Sequence, residues 1–351
     1  MVELGHDVTV LTAWHRGLRH SEFTAGMNVR RVWSGRRRRD RATIAEMIGF
    51  MAMAAPAAIL IALRNRPDRV VAFFGLPSGP IAWLLYALFR IPYAVSLRGG
   101  DVPGFLPQQL RRAHQVSGFL LRMVWRRAAV IIANGSGLRT LARAYAPGLE
   151  IAAVPNGVDT TVFAPAVPPK APGEVTRVLF VGRLVTEQKG LDVLLTGLSR
   201  VPGTWELELV GDGPDRERIA RHAEQLGCAE WVRMRGWVER AALPDLYRAA
   251  DIFVFPSRHE GVPNALLEAM ASGLAVVASD IPSIREVISN GECGILVPVD
   301  DAGALAQAVT RLMTNPNTAA QLGAAARRRM EQDFGWRAVA AQYLRLCGIP
   351  G

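Results

Sequence analysis

From residue 177 onward, short apolar segments and helical segments alternate along the chain with unusual regularity. Six of these apolar runs are short enough to be buried strands, and a segment with helical character separates each from the next. Such alternation predicts a parallel sheet with helices on both faces, because a helix must carry the chain back between parallel strands. The predicted strands are RVLFVGRL, WELELVG, WVRMRGWV, DIFVFPS, LAVVASD and GILVPV.

The first half of the chain alternates in the same manner, although less regularly. The segment 164–174 is rich in Pro and Ala and predicts a linker. We therefore predict the α/β class, with two tandem doubly wound, Rossmann-like domains that face a cleft. Their predicted bounds are 1–165 and 166–330. Strands are predicted at DVTVLTA, NVRRVW, RVVAFF, YAVSLRG, AVIIANG and IAAVPNG, and helices over much of 43–64, 80–90, 108–127 and 137–145.

Positive charge is concentrated in the first half of the chain. Residues 1–165 contain 21 Arg or Lys against 9 Asp or Glu, whereas the rest contains 20 against 22. The runs at 36–41 and 111–127 contribute most visibly. This asymmetry indicates either an anionic partner (nucleic acid, acidic lipid or a phosphorylated substrate) or a solvated basic face. Separately, the uncharged run 47–63 predicts a helix that is buried or lies at an interface, with a membrane span as the alternative.

Several familiar sites are absent from the sequence. There is no P-loop motif, no H-E-x-x-H and no D-x-D, and Arg216 stands where a dinucleotide fingerprint would have its third Gly. Any phosphate binding therefore depends on Arg, Lys and backbone amides. Arg183 and Lys189 flank a loop after a predicted strand, where they suit a diphosphate or are ordinary surface charges.

The stretch SRHEGVPNALLEAM, residues 257–270, predicts a second part of the same site. A helix begins near Asn264, and its free amides can bind an anion. Glu260 lies in the loop before this helix, and Glu268 lies in its second turn, where side chains lean back toward the helix start. Both carboxylates can therefore face one crevice, where they could accept hydrogen bonds from sugar hydroxyls. Solvent exposure of Glu268 is the alternative that a helical wheel leaves open.

The motifs in the second half strongly resemble those of retaining glycosyltransferases of family 4, which have the GT-B fold. The resemblance covers nearly the whole chain from residue 5. The motifs that carry it, in order, are PNGVDTTVFAP, FVGRLVTEQKGLDVLL, LVGDGP, VRMRGWV, LYRAADIFVFPSRHEGVPNALLEAMASG and GECGILVPVDDAGAL.

The resemblance implies a role for each matching position. Arg183 and Lys189 would bind the diphosphate of a nucleotide-sugar donor, Glu268 the ribose, and Glu260 would lie beside the transferred sugar. The segment from Gly236 to Val238 would line the base. The backbone at Gly261, Val262, Pro263, Asn264, Ala265 and Leu266 would contact sugar hydroxyls and phosphate. No metal and no other cofactor is expected.

In the first domain, the resemblance places VSLRGGDVPG where many relatives have a His near the reacting sugar. This chain has Arg98 and Asp101 there. Arg98 could stabilise the leaving diphosphate and Asp101 could orient the acceptor, or the two residues could only shape the loop.

Both ends of the chain also invite comparison with the family. The first domain lacks the strand and Gly-rich turn with which relatives begin, so we expect the natural protein to start roughly 25–40 residues upstream. The segment 331–351 resembles the family's last helix, which returns to the first domain. Trp336 and Tyr343 are predicted to share one packing face of it.

The predicted function is a retaining glycosyltransferase that takes its sugar from a nucleotide-diphosphate donor. The acceptor could be lipid-linked, a polysaccharide or a small molecule. The alternative from another class is a truncated, non-catalytic sugar-nucleotide binder, and an epimerase or a nucleic-acid binder is less compatible with these motifs. Three scattered cysteines indicate a cytoplasmic protein with reduced thiols. The basic first domain could also contact the inner face of an anionic membrane.

Overall fold

The computed structural model describes residues 1–36, 42–105, 107–167 and 173–349, with only the backbone described for 107–116. Most of the basic run 36–41 and the centre of the predicted linker lie outside the described residues. The chain divides into two compact units. Unit 1 comprises residues 1–155 and 340–351, and unit 2 comprises residues 156–339.

Unit 1 contains two separate sheets. The first has the order β1-β3-β2, in which β1 and β3 are parallel and β2 is antiparallel to β3; the second is the parallel sheet β4-β5-β6-β7. The strands are β1 (Val8–Ala13), β2 (Ser21–Thr24), β3 (Met27–Val32), β4 (Val70–Phe73), β5 (Tyr93–Leu97), β6 (Val130–Ala133) and β7 (Ile151–Ala153). The helices are α1 (Ile44–Arg64), α2 (Ser78–Phe89), α3 (Pro107–Arg127) and α4 (Ser136–Tyr145).

The division of unit 1 into two sheets differs from the single doubly wound sheet that the sequence predicts. No strand in the described part of the chain pairs with both β1 and β4, so each leaves one edge without a sheet partner. The short strand β2 was also not predicted, because its four residues SEFT carry too weak an apolar alternation.

Unit 2 has one six-stranded parallel sheet with the order β10-β9-β8-β11-β12-β13. This is the doubly wound order, which reverses direction between β8 and β11. The strands are β8 (Thr176–Val181), β9 (Trp205–Val210), β10 (Val232–Gly236), β11 (Ile252–Phe255), β12 (Ala275–Ser279) and β13 (Ile295–Val297). The helices are α5 (Thr186–Lys189), α6 (Leu191–Leu198), α7 (Arg216–Gln225), α8 (Leu243–Ala249), α9 (Asn264–Ala271), α10 (Pro282–Arg285), α11 (Ala302–Thr314) and α12 (Pro316–Arg329).

The predicted strands of unit 2 are confirmed, because their composition reflects burial on both faces. Every residue of β11 and β12 is buried, which the continuous apolar runs in their sequences require. One hydrophobic cluster fills this unit.

The boundary between the units lies ten residues before the predicted position of 165. The segment that follows Asn156 packs within unit 2, where Val158 and Phe163 are buried in its hydrophobic cluster. The Val158 amide also donates to the Phe334 carbonyl oxygen at 2.8 Å. The PNGVDTTVFAP motif therefore belongs almost entirely to unit 2.

The last helix, α13 (Trp336–Leu346), begins in unit 2 and ends in unit 1. The prediction that Trp336 and Tyr343 share one packing face is wrong. Tyr343 is buried within unit 1, whereas Trp336 is 51% exposed and lies against Gly157 in unit 2. A seven-residue spacing puts two side chains on one side of a helix, but it does not make their surroundings the same.

Candidate functional site

The candidate site in unit 2 lies where β8 and β11 end side by side. In a doubly wound sheet the connections leave in opposite directions at this point and open a crevice at the carboxyl ends of the strands. The loop and α5 after β8 carry Arg183 and Lys189, and the loop after β11 carries Glu260. The fold thus brings together two segments that are 71 residues apart in the sequence.

Lys189 and Glu260 form an ion pair between Nζ and Oε1, and both side chains are almost fully buried. The Lys189 ammonium also lies 5.1 Å from the centre of the Phe255 ring, within the range of a cation–π contact. A carboxylate and an ammonium buried together neutralise each other's charge, which limits the cost of removing them from water. The pair is therefore a buried ion pair with little net charge, located after the carboxyl ends of β8 and β11.

Arg183 differs from Lys189 in its surroundings. Its side chain is exposed, and it has no hydrogen-bond or ion-pair partner among the described residues. Its guanidinium is accordingly the positive charge of this crevice that remains available to an anion.

Gly190 allows the turn after Lys189 to approach β11 closely. It has a φ of +63°, and a Cβ atom at this position would lie 2.1 Å from the Pro256 carbonyl oxygen. Only Gly avoids both the strain and the clash. The Lys-Gly sequence therefore has a structural reason besides charge.

The start of α9 supplies free backbone amides beside the ion pair. The amides of Asn264, Ala265 and Leu266 have no acceptor within the described residues, and Pro263, at the N-cap, offers no side-chain cap. Asn156 fixes the loop before this helix: its Nδ2 donates to the Val262 carbonyl oxygen at 3.1 Å and to Asn264 Oδ1 at 2.7 Å. Uncapped amides and the helix dipole favour an anion at this position.

Glu268 is buried, so the solvent-exposed alternative for this residue is wrong. The residue is 4% exposed. The Tyr247 hydroxyl donates to its Oε2 at 3.1 Å, and Arg240 Nη2 lies 3.3 Å from its Oε1. Burial raises the pKa of Glu268, while Arg240 and the Tyr247 hydroxyl act in the opposite direction. Of the two partners, Arg240 is largely exposed and Tyr247 is buried.

Arg258 is a site-organising residue that the sequence reasoning missed. Its Nη2 binds both carboxylate oxygens of Asp192 at 3.1 and 2.9 Å, and its Nε donates to Asp300 Oδ1 at 2.6 Å. Its Nη1 donates to the Thr186 carbonyl oxygen at 2.8 Å, and its amide to the Gln188 carbonyl oxygen at 2.8 Å. Arg258 therefore ties the loop that bears Glu260 to the helix that bears Lys189. Its position directly before the His-Glu-Gly sequence was the available signal.

The loop after β10 presents the residues predicted to line a base. Gly236 has a φ of +74°, and its carbonyl oxygen accepts from the Gly211 amide at 2.8 Å. Val238 is half-buried and packs against the hydrophobic cluster, whereas the intervening Trp237 is 60% exposed. β10 lies three strands from β11, so a ligand that touches both ends must extend about 14 Å at the usual strand spacing.

In unit 1, Asp101 lies buried in the loop after β5. The residue is 7% exposed. Its Oδ2 accepts from the Gly75 amide at 2.6 Å, and its Oδ1 accepts from the amides of Arg98 and Gly99 at 2.9 and 3.0 Å. Burial raises the pKa of Asp101, while these amide hydrogen bonds act in the opposite direction. These three hydrogen bonds show that Asp101 shapes the loop, while its role toward an acceptor stays a prediction.

The same loop presents Arg98 at the carboxyl end of β5. Its guanidinium lies 4.8 Å from the centre of the Phe73 ring, and its Nη2 lies 3.4 Å from the Tyr343 hydroxyl. That hydroxyl is also within 2.9 Å of Ser96 Oγ. The last helix of the chain therefore helps to orient the side chain of Arg98.

The described residues include no group of three or more His, Cys, Asp or Glu that could hold a metal ion.

Sequence comparisons identify relatives for both halves of the chain. Residues 175–315 match the family described as glycosyl transferases group 1, and residues 1–157 match the glycosyl transferase 4-like domain. The chain is 34% identical over 296 residues to an alpha-maltose-1-phosphate synthase of Mycolicibacterium smegmatis, covering 77% of this chain and 75% of the relative. It is 31% identical to a glycogen synthase of Mycobacterium tuberculosis, covering 78% and 67% of the two chains.

Solved structures show the same fold at lower identity. A sucrose-phosphate synthase from Thermosynechococcus elongatus superposes with a TM-score of 0.84 at 23% identity, covering 98% of this chain and 89% of that one. The Anabaena protein HepE, in complex with UDP and glucose, superposes with a TM-score of 0.70 at 19% identity, covering 91% and 86%. The chain therefore belongs to glycosyltransferase family 4, the glycosyl transferases group 1, and has two Rossmann-like units of the GT-B type.

Proposed function

We propose that the protein transfers a sugar from a nucleoside-diphosphate sugar to a carbohydrate, lipid-linked or small-molecule acceptor with retention of the anomeric configuration. The observation that carries the proposal is that three groups follow β8 and β11, the strands on either side of the switch point: the exposed Arg183, the Lys189–Glu260 pair and the free amides of α9. The structure of HepE in complex with UDP and glucose supports a nucleotide donor in this fold.

In the proposed complex the donor lies across the carboxyl ends of the strands from β11 to β10. Arg183, Lys189 and the amides of Asn264 to Leu266 bind the diphosphate, since together they provide positive charge and hydrogen-bond donors. Glu268 accepts hydrogen bonds from the ribose. The loop from Gly236 to Val238 lines the base, with Trp237 available to stack on it.

Lys189 and Glu260 have different roles in this proposed complex. When the diphosphate arrives, its oxygens offer Lys189 a second anionic partner next to Glu260. Glu260, which then shares its lysine, is available to accept a hydrogen bond from a hydroxyl of the transferred sugar. The segment from Gly261 to Pro263 holds this carboxylate next to the start of α9.

For the transfer step we propose that the acceptor hydroxyl attacks the anomeric carbon on the face from which the diphosphate leaves. The bond between the anomeric carbon and the diphosphate oxygen breaks, and the acceptor proton passes to that departing oxygen. Arg98 stabilises the negative charge that develops on the diphosphate. Neither a metal ion nor an enzyme base is assigned to this step.

A screen of donor binding and turnover tests the proposal. We expect one of the UDP-, GDP- or ADP-sugars to raise the melting temperature of the full chain, because a ligand that binds only the folded state stabilises it. We also expect release of the nucleoside diphosphate with that donor in the presence of excess EDTA. Without a thermal shift from any donor the proposed site is wrong. A shift without turnover would instead favour a non-catalytic sugar-nucleotide binder, and loss of turnover in EDTA would contradict metal independence.

Relatives with different acceptors share this family, so the acceptor class is proposed broadly. A phosphatidyl-myo-inositol mannosyltransferase of Mycolicibacterium smegmatis is 36% identical over 204 residues. The matched region covers 57% of this chain and 52% of the relative. Together with the maltose-1-phosphate and glycogen synthases, it supports acceptors that range from lipid-linked to polymeric. We propose that the reaction takes place in the cytoplasm, where the buried free thiols of Cys228, Cys293 and Cys347 remain reduced.

A further inference from the structure

The outer face of α1 in unit 1 is apolar although it is exposed. Ile48 and Leu63 on this face are 56% and 67% exposed. Between Ile44 and Leu63 the only charged residue is Glu46, which closes the capping box of the helix with Thr43. Its carboxylate therefore lies at the helix start. The exposed stripe follows helical spacing and consists of Ala45, Ile48, Ala52, Pro56, Leu60 and Leu63, and Ile44 and Met53 extend it.

The opposite face of α1 belongs to the interior of unit 1. Phe50, Ala54, Ala58 and Ala62 recur every four residues and are buried in one cluster with side chains of α2. The helix therefore already has its intramolecular packing partner. Its second apolar face has no packing partner among the residues that the structure describes. Contiguous exposed apolar surface of this kind is rare on proteins that only contact water.

Basic side chains accompany this apolar stripe at its C-terminal end. Arg64 follows Leu63 directly, and Arg66 comes two residues later. Arg66 Nη2 donates to the Phe89 carbonyl oxygen at 2.7 Å, which places Arg66 beside the end of α2. There Arg90 lies over the Tyr86 ring and Leu88 is exposed. Asp68 is the acidic residue of this end. An apolar stripe bordered by arginines is complementary to a bilayer surface that contains anionic headgroups.

We propose that α1 docks unit 1 on an anionic membrane surface, with the helix in the plane of the interface. The exposed stripe enters the boundary of the acyl chains, and Arg64, Arg66 and Arg90 contact the headgroups. This inference does not depend on the proposed transferase activity. By length and composition α1 could also cross a bilayer, which for a single helix is weak support for a span. A spanning orientation would expose to lipid the face that Phe50, Ala54 and Ala58 bury, so the packing favours the in-plane arrangement.

Co-sedimentation of the full chain with lipid vesicles tests the proposal. We expect the protein to sediment with vesicles that contain about 30 mol% phosphatidylglycerol and to bind pure phosphatidylcholine at least about tenfold more weakly. The double substitution Ile48→Glu with Leu60→Glu places two carboxylates in the stripe. Because both positions are exposed, we expect an unchanged melting temperature and a loss of at least about tenfold in vesicle binding.

The matched control is Val162→Glu with Val299→Glu, which adds the same charge at exposed apolar positions of unit 2. We expect this variant to bind vesicles like the wild type. The proposal is wrong if the wild type stays in the supernatant with anionic vesicles, or if the α1 variant sediments as well as its control. Two other results would also overturn it: conversion of a wild-type dimer to a monomer by the α1 substitutions without any vesicle binding, and resistance of the bound protein to alkaline carbonate.

Discussion

Unit 2 buries its hydrophobic residues in a single cluster around one six-stranded sheet, whereas unit 1 divides them between two clusters and two sheets. The surface of unit 1 also exposes more large hydrophobic residues than the surface of unit 2. Of the large hydrophobic residues that are exposed in the described part of the chain, twelve belong to unit 1 and six to unit 2. Unit 2 thus encloses most of its large hydrophobic residues, whereas unit 1 leaves more of them exposed.

The candidate residues of the two units are held in correspondingly different ways. In unit 2, Lys189 and Glu260 pair directly, and the side chain of Arg258 connects their segments with four hydrogen bonds. In unit 1, the backbone of Arg98 is held by Asp101 and its guanidinium by the Phe73 ring and the Tyr343 hydroxyl. A preorganised cluster suits binding of a constant ligand, and a single oriented cation suits stabilisation of charge that develops during a reaction.

The largest effect is expected for Arg98→Ala. If unit 2 binds the donor and Arg98 acts on the leaving diphosphate, the substitution should lower kcat by about 10²–10³-fold. The thermal shift caused by the donor should remain. Steady-state kinetics and thermal unfolding with the donor measure the two effects, and Arg143→Ala on the exposed side of α4 is the control. An equal loss of donor binding would contradict the division of roles between the units.

A smaller effect is expected for Glu268→Ala. Loss of a carboxylate that accepts hydrogen bonds from the ribose should weaken donor binding by about 10–100-fold, since hydrogen bonds to charged groups contribute about 1.5–3 kcal/mol. Titration calorimetry measures this change, and Glu224→Ala on the exposed side of α7 is the matched control. Unchanged affinity for the donor would show that the ribose assignment is wrong.

The smallest effect concerns stability and pH. Because burial raises the pKa of Glu268 above its ordinary value of 4.5, the folded state holds this proton more tightly than the unfolded state. Below pH 4.5, Glu268 is protonated in both states and its ionisation does not lower the free energy of unfolding. As the pH rises from 4.5 to the folded-state pKa, ionisation lowers that free energy progressively, and above the folded-state pKa the full loss is present. We expect Glu268→Gln to raise the melting temperature near neutral pH by about 2–4 °C, and this gain to disappear as the pH falls toward 4.5.

Thermal unfolding of wild type, Glu268→Gln and Glu224→Gln across this pH range measures the effect. If Glu268→Gln raises the melting temperature equally at every pH, ionisation of the Glu268 carboxylate is not what lowers the stability of the wild type. Since Glu268 would both destabilise unit 2 and bind the donor, this result would also sharpen the contrast with the loop of unit 1, where backbone amides surround the buried carboxylate of Asp101.

The sequence by itself was sufficient for the sheet of unit 2 and for bringing the segments of Lys189 and Glu260 to the same edge of it. Strands buried on both faces read as continuous apolar runs, and parallel strands must all end at one edge. These two constraints are local or topological, so neither needs the packing of side chains.

Only the tertiary structure decided what each polar group touches. Helical periodicity places Glu268 off the apolar face of α9, but its carboxylate contacts Tyr247 and Arg240, which are more than twenty residues away. Asp101 likewise receives one of its amide partners from Gly75, and the two ends of α13 meet different units. A polar residue's role depends on its long-range neighbours, and periodicity along one element contains no information about them.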